Sequence, residues 1–487
     1  MTTAALPFPT IIQGGMGIGV SNWRLARAVS RAGQLGVVSA TAIDSLLVRR
    51  LQDGDPGGHM RRAMERFPIK GFAETVLRRY FLAEGRPPQT PYRMLPMYRQ
   101  RVPKGRQQLT MLASFVEVFL AKEGHSGLVG VNLLTKVQLP NLASLYGAML
   151  AGVDYVLMGA GIPREIPGVL DAFAEHREAR LRFEVEELPP AVTEELVFDP
   201  RAHTDGASLP PLSRPQFLAI IASNSLATML ARKASGRVDG FVVEGPTAGG
   251  HNAPPRGAMQ LDERGEPLYG ERDVVDLSKL GELGLPFWVA GGAGSPEAYV
   301  AARAAGAAGI QVGTLFAYCD ESGLTSEYKA SILAHAADGD VRVRTDPRAS
   351  PTGYPFKVVE WPADPTAGAA EPRERVCDLG YLRTPYHAPD GRIGYRCAAE
   401  PVDAYVGKGG AVEDTEGRRC LCNALMANIG HAQVRAEGAV EPPLITSGDD
   451  LAEIGAFLDG RSSYSAEEVL DYLLALTPQQ HGVDSIP

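Results

Sequence analysis

The feature that most limits how this chain can fold is a repeated unit: a short continuous apolar run, a glycine-rich turn, then a stretch with helical spacing. Its first copy is the plainest. Ile11 to Gln13 lead into Gly14, Gly15, Gly17 and Gly19, after which Trp23, Leu25, Ala26, Val29 and Ala32 recur at the intervals of one helix face. Ser21 or Asn22 is the expected cap, Gly33 the expected stop, and LGVVSA the next strand. Further strands are expected at Leu128 to Leu134, Tyr155 to Met158, Phe217 to Ala222, Gly240 to Val243, Phe287 to Ala290 and Gly309 to Val312.

Strands that are apolar throughout, each followed by a helix, belong to a parallel sheet covered by helices. Eight of them predict an α/β fold of the (β/α)8 TIM barrel type, with its site at the C-terminal ends of the strands. An open doubly wound sheet is the structural alternative. Three excursions break the rhythm: a basic, helical insertion over about 52–127, a stretch at 180–214 that predicts a hairpin over the barrel mouth, and everything after about residue 346. The expected organisation is therefore a barrel over 1–345 and a cysteine-bearing C-terminal extension over 346–487, packed on it as a lid, a cap or a homo-oligomer interface.

Composition narrows the partners. A net charge of −9 offers no general attraction to nucleic acid or anionic lipid. Mean hydropathy is −0.08 and no apolar run is long enough to cross a bilayer, so no membrane association is expected. The opening residues lack the charged and apolar regions of a secretory signal, which predicts a cytoplasmic protein. Five cysteines, an odd number, fit reduced thiols better than a disulfide framework.

The chemistry is expected where glycines follow strands. Gly291 and Gly292 precede a helix that opens at Ser295-Pro296, and Gly313 with Thr314 follows the last strand. Backbone N–H groups exposed at such turns make a phosphate cradle, and barrels recurrently bind phosphate with their seventh and eighth loops. After the sixth strand comes EGPTAGGHNAPPRG, in which Gly249 and Gly250 let the backbone approach a flat ligand while His251 presents an imidazole over it.

These segments together carry a family resemblance. IIQGGMGIG with LARAVSRAGQLG, the GVN of Gly130 to Asn132, AGGH, AGGAG and QVGT resemble, in order and spacing, the nitronate monooxygenases (2-nitropropane dioxygenases) and the related flavin-dependent enoyl-acyl carrier protein reductases. The resemblance covers the barrel strands of about the first 320 residues. It implies bound FMN, contacted by Gly14, Gly15 and Met16 from the first loop, Asn132 from the third strand, Glu244, Gly249 and Gly250 from the sixth, and Gly291, Gly292, Gln311, Val312, Gly313 and Thr314 at the phosphate. It also implies that His251 is the catalytic residue. The chain departs from the pattern at Gly15, where proline is common, at Gln34, at Glu244, where glutamine is common, and at Thr247, where glutamate is usual.

The function expected is oxidation of an alkyl nitronate or nitroalkane by FMN and dioxygen, with a small-molecule substrate. The rival is an NAD(P)H-dependent reductase of enoyl thioesters, for which the basic insertion (Arg78, Arg79, Arg99, Arg101, Lys104, Arg106) would meet an acidic carrier or a nucleotide. A phosphate-binding barrel without catalysis is a third reading. No metal is expected; its alternative is zinc or an iron–sulfur cluster on Cys377, Cys397, Cys420 and Cys422, near His387 and His431 in sequence.

Overall fold

The computed structural model describes residues 8–204, 209–364 and 373–477; the opening residues read above for a signal fall partly outside them. The eight expected strands are all present: β1 (Ile11–Gln13), β2 (Gly36–Ser39), β3 (Val129–Leu134), β4 (Tyr155–Gly159), β5 (Gln216–Ile221), β6 (Gly240–Glu244), β7 (Phe287–Ala290) and β8 (Gly309–Val312). All pair in parallel, in the order β1-β8-β7-β6-β5-β4-β3-β2. The two ends of that order meet. Ile12 bridges to Leu35 in parallel, with Leu35 N–H donating to Ile11 O at 3.1 Å and Gln13 N–H to Leu35 O at 3.0 Å, so the sheet closes into a (β/α)8 barrel.

Closure explains why the strands read as unbroken apolar runs. Side chains alternate across a strand, and here both sides are buried. Ile12, Val37, Leu157, Leu218, Val242 and Trp288 fill the barrel interior, while Ile11, Val38, Val156, Phe217, Phe241 and Phe287 face the helices; each is at most 2% exposed. The Trp288 indole N–H donates to Pro9 O at 2.8 Å, so the largest interior side chain has its one polar atom satisfied.

Helix caps follow the sequence signals. Asn22, not Ser21, caps Trp23–Arg31, its Oδ1 accepting from Arg24 and Leu25 N–H at 2.7 and 3.1 Å. Ser21 is used otherwise, accepting from Met16 N–H and donating to Gly14 O, both at 2.8 Å, which pins the first glycine loop. Ser295 caps the helix Pro296–Ala304.

The insertion between β2 and β3 is helical, and its last helix, Lys104–Lys122, is a member of the barrel's own ring, packed between Trp23–Arg31 and Asn141–Leu150. The hairpin forms from Ala179–Phe183 and Glu194–Phe198. Its position differs from the expectation. Phe198 packs on Tyr146 and Phe173 of the outer helices, at ring-centroid distances of 5.6 and 5.5 Å, and no described hairpin residue lines the cavity at the mouth. The cause is its alternation: Leu181, Phe183, Leu196 and Phe198 form one apolar face, and the helix flank is the apolar surface it covers.

After β8 the chain forms an antiparallel pair, Arg342–Asp346 with Phe356–Glu360, a second, Thr384–His387 with Ile393–Arg396, and short helices including Leu421–Ala427. The helix Ala466–Leu474 returns to the barrel wall and packs on Trp23–Arg31 and Pro296–Ala304. Among the described residues no helix is long and apolar enough to cross a membrane.

Leu157 sits at the centre of the interior layers and is fully buried. Leu157→Ala is expected to cost about 2–5 kcal/mol of unfolding free energy, because closed strands cannot move in to fill the void. A urea titration measures it; an unchanged midpoint would contradict the packing described.

Candidate active site

A cavity of about 460 Å³ opens at the C-terminal ends of the strands, within the size range of small-molecule sites. Its walls come from the loops after β1, β3, β4, β5, β6, β7 and β8, and from the late region. Of the residues singled out in the sequence, Gly14, Gly15, Met16, Asn132, Glu244, Gly249, Gly250, His251, Gly291, Gln311, Gly313 and Thr314 all line it. Two do not. Val312 is 2% exposed and points into the outer core, because Gln311 faces inward and strand neighbours face opposite ways. Val312 contributes through its backbone, whose oxygen accepts from Gly14 N–H at 2.8 Å. Gly292 adjoins the cavity at the turn without lining it.

Close approach dictates the first loop. A Cβ on Gly15 would lie 2.2 Å from Asn132 Cβ, so the loop runs directly against the end of β3 only because residue 15 has no side chain. Asn132 is 6% exposed, and its amide donates to Leu157 O at 3.4 Å.

The loop after β6 is held by distant chain. Lys357 N–H donates to Gly250 O at 2.9 Å and Asn252 N–H to Pro355 O at 3.0 Å, around an antiparallel bridge between His251 and Phe356. Gly250 N–H donates to Thr446 Oγ1 at 2.9 Å. The His251 ring stands edge-on to Phe356 at 4.8 Å, and its Nε2 lies 2.7 Å from Ser350 Oγ. Burial, and secondarily the Lys136 charge, lowers its pKa well below the ordinary value, so the ring is a neutral imidazole at physiological pH.

Beside it lie two further titratable groups. Burial pushes the Glu244 carboxyl up to about 7, against the opposing pull of Lys136. Burial likewise brings the Lys136 ammonium down to about 7, opposed by Glu244. Lys136 Nζ lies 4.0 Å from the Tyr354 ring centroid and has no hydrogen-bond partner.

The sixth and eighth loops are joined across the cavity by residues 446–450. Gly448 N–H donates to Thr314 Oγ1 at 3.1 Å and Asp449 N–H to Thr247 O at 3.0 Å. A Cβ on Gly448 would fall 2.8 Å from Thr314 Oγ1, and one on Gly291 2.9 Å from Thr247 Oγ1. Gly291 and Gly292 have φ of +86° and +65°, turning their backbones toward the start of the helix Pro296–Ala304. Among the described residues, two buried oxygens of the cavity wall, Asn252 Oδ1 and Gln311 Oε1, have no hydrogen-bond partner, and a third, Ser447 Oγ, has only the Tyr318 hydroxyl beside it.

Two polar clasps fasten the late region over this arrangement. The Asp44 carboxylate pairs with Arg106 and accepts from Thr110 Oγ1 at 2.7 Å and from the Tyr381 hydroxyl; Tyr381 lines the cavity. Burial works against the Asp44 charge, but Arg106 and the two hydroxyls hold its pKa below the usual carboxylate range. In the second clasp, His431 Nδ1 lies 2.9 Å from Asp53 Oδ2, which also accepts from Tyr92 OH at 2.6 Å.

Cys377, Cys397, Cys420 and Cys422 do converge, around a small void whose wall shares Leu382, Leu421 and Cys422 with the main cavity. Cys377 is hydrogen-bonded to Cys397, which raises its pKa, and burial raises that of Cys422. They are free thiols, and among the described residues no three histidine, cysteine or acidic side chains are arranged to hold a metal ion. His431 belongs to the Asp53 clasp and His387 to a hairpin strand.

Fold and site together define a (β/α)8-barrel protein with an enclosed ligand cavity at the strand ends, roofed by its own late residues. Residues 207–348, which build half of that cavity, match the profile described as nitronate monooxygenase, in line with the resemblance read from the motifs. The chain is also 32% identical over 111 residues to a protein named a probable nitronate monooxygenase from Staphylococcus saprophyticus subsp. saprophyticus, a match that spans 23% of this chain and 30% of the relative's length. Among solved structures it is similar to FabK from Thermotoga maritima (16% identity, TM-score 0.47, covering 96% of this chain and 92% of that one) and to a nitroalkane oxidase from Streptomyces ansochromogenes (16%, TM-score 0.45, 96% of each).

Tyr354, Tyr381, Thr446, Ser447, Gly448 and Asp450 of the cavity wall, and Lys136 and Ser350 just behind it, escaped the sequence reading. For Thr446–Asp450 a signal existed in Ser447-Gly448, a small-residue turn of the kind that seventh- and eighth-loop glycines offer; a lone lysine after β3 gave none.

Two outcomes are expected. Asp44→Asn strands the buried Arg106 charge and costs about 3–5 kcal/mol, read from thermal or urea unfolding; a loss below 1 kcal/mol would mean that the clasp is not holding. Elemental analysis of the purified protein should find neither zinc nor iron, and a stoichiometric amount of either would overturn the free-thiol assignment.

Proposed function

We propose that this chain is an FMN-dependent oxidoreductase that oxidises alkyl nitronates, or the nitroalkanes in equilibrium with them, with dioxygen as the second substrate. The observation that carries the reading is the His251 imidazole, held by Ser350 at 2.7 Å in the wall of a cavity that is otherwise lined by glycine turns and apolar side chains. The match of residues 207–348 to the nitronate monooxygenase profile supports it.

The residues present fit FMN. Gln311 Oε1 is buried in the cavity wall without a partner among the described residues, an arrangement that costs stability unless a ligand supplies the bond. Gly291, Gly292, Gly313 and Thr314, with Ser447 and Gly448, would hold the phosphate at the seventh and eighth loops. Gly14, Gly15, Met16, Asn132, Gly249 and Gly250 would border the ring, with open space at Gly250 where a side chain would otherwise stand. When bound, FMN would supply electron acceptance from the substrate and its own reoxidation by dioxygen.

The protein's part is binding, orientation and proton handling. His251, neutral and oriented by Ser350 at 2.7 Å, can donate a hydrogen bond to a nitro oxygen or take the α-proton of a neutral nitroalkane through its unprotonated nitrogen. Phe356 and Tyr354 exclude water on the side of the late region.

His251→Ala is expected to retain yellow FMN and to lose about 10²–10⁴-fold in turnover; full activity would remove the imidazole from the mechanism. Anaerobic mixing with propane-2-nitronate should bleach the bound flavin. Bleaching by NADH or NADPH and not by the nitronate would establish the enoyl-thioester reductase reading instead.

A further inference from the structure

Lys136 follows β3, and its backbone is fixed, Lys136 N–H donating to Ala160 O at 3.2 Å and Thr135 N–H to Gly159 O at 2.8 Å. Its ammonium is buried and, among the described residues, makes no hydrogen bond and is joined to no carboxylate in an ion pair. The contact made is with the face of Tyr354, a cavity wall, at 4.0 Å. A cation buried without an acceptor is unfavourable unless some other negative charge completes it. The titratable groups facing it are Glu244 and His251 from β6 and its loop and Tyr354 from the late region. Arg256 and Asp273 also line the cavity, and Arg256 N–H donates to Asp273 Oδ1 at 2.9 Å.

We propose that Lys136 is the charge-setting residue of the cavity: acting with Glu244, it makes the site selective for an anionic ligand and couples entry of that anion to uptake of one proton from solvent. The proposal rests on the reading of the cavity as a site for nitronate-like anions and names the residue that selects them. Without ligand, one proton serves the pair, either as ammonium with carboxylate or as amine with carboxylic acid. An anion placed beside them is best balanced by ammonium together with the neutral acid, which takes a second proton. Both groups titrate at about 7, so that proton is available below this pH and progressively scarce above it. Affinity for the anion therefore falls as pH rises through 7, approaching tenfold per pH unit. Lys136 is a positioning residue here, since its ammonium lies behind the wall.

The test uses the FMN-loaded protein and isobutyrate, a carboxylate with the shape of propane-2-nitronate, with isobutyramide as the neutral counterpart. Calorimetric titration at pH 7 in buffers of different ionisation heat should show uptake of about one proton with isobutyrate, and isobutyramide should bind at least tenfold more weakly. Lys136→Met should bind isobutyrate at least tenfold more weakly and take up no proton, because the carboxyl of Glu244, deprived of its cation, is already protonated at that pH. Glu244→Gln should keep the uptake, now at Lys136, and Lys136→Arg should restore affinity. Retained flavin and an unchanged melting temperature report that the variants are folded. Buffer-independent heats in the wild type, or isobutyrate binding unaltered in Lys136→Met, would overturn the proposal. The heats are read without turnover, so a protein that binds isobutyrate in this way yet leaves nitronates untouched would sink the activity and leave the charge coupling standing.

Discussion

The arrangement depends on a short antiparallel contact, His251 against Phe356, with the flanking bonds from Lys357 to Gly250 and from Asn252 to Pro355. A loop with two consecutive glycines has many conformations open to it, and freezing one costs entropy that glycine loses more heavily than any other residue. Pairing with chain that is already a strand, Phe356–Glu360, makes that cost part of forming the ladder with Arg342–Asp346. The imidazole is thereby placed by backbone bonds, and its orientation is finished by Ser350. Barrel and late region are one device at this point: the barrel supplies the residue, the extension supplies its position.

The electrostatics follow from the same enclosure. Phe356, Tyr354 and Tyr381 wall the cavity on the side of the late region, and the buried groups around it respond according to sign: the acid Glu244 is driven up, the bases Lys136 and His251 down. Asp44, equally buried, goes the other way because Arg106 and two hydroxyls surround it. The contrast separates structure from reactivity. A fully bonded buried charge holds the roof in place, whereas the incompletely bonded ones lie in or directly behind the cavity wall.

The barrel was legible because its strands are buried on both sides, which writes each as a solid apolar word, and because caps such as Ser295-Pro296 punctuate the helices. The glycines were legible as loops at strand ends, and nearly all fall on one cavity. What escaped was of two kinds. Strand parity assigns Gln311 to the cavity and Val312 to the core, a distinction that naming QVGT as a block conceals. Contacts between segments more than a hundred residues apart, such as Thr446 with Gly250, or Tyr381 with Asp44, leave no local periodicity to read. The hairpin at 179–198 was recognised but set in the wrong place, since alternation tells which face is apolar and not which surface it meets.

That the roof is spun from residues beyond 346 bears on the order of events during synthesis. All eight strands leave the ribosome before the residues that enclose their mouth, so an emerging barrel passes through a stage in which its ligand end lies open to solvent. A prosthetic group as wide as a flavin has unobstructed entry at that stage. Once Thr446 and Gly448 stitch the rim together, the way out for the same group is narrower than the way in.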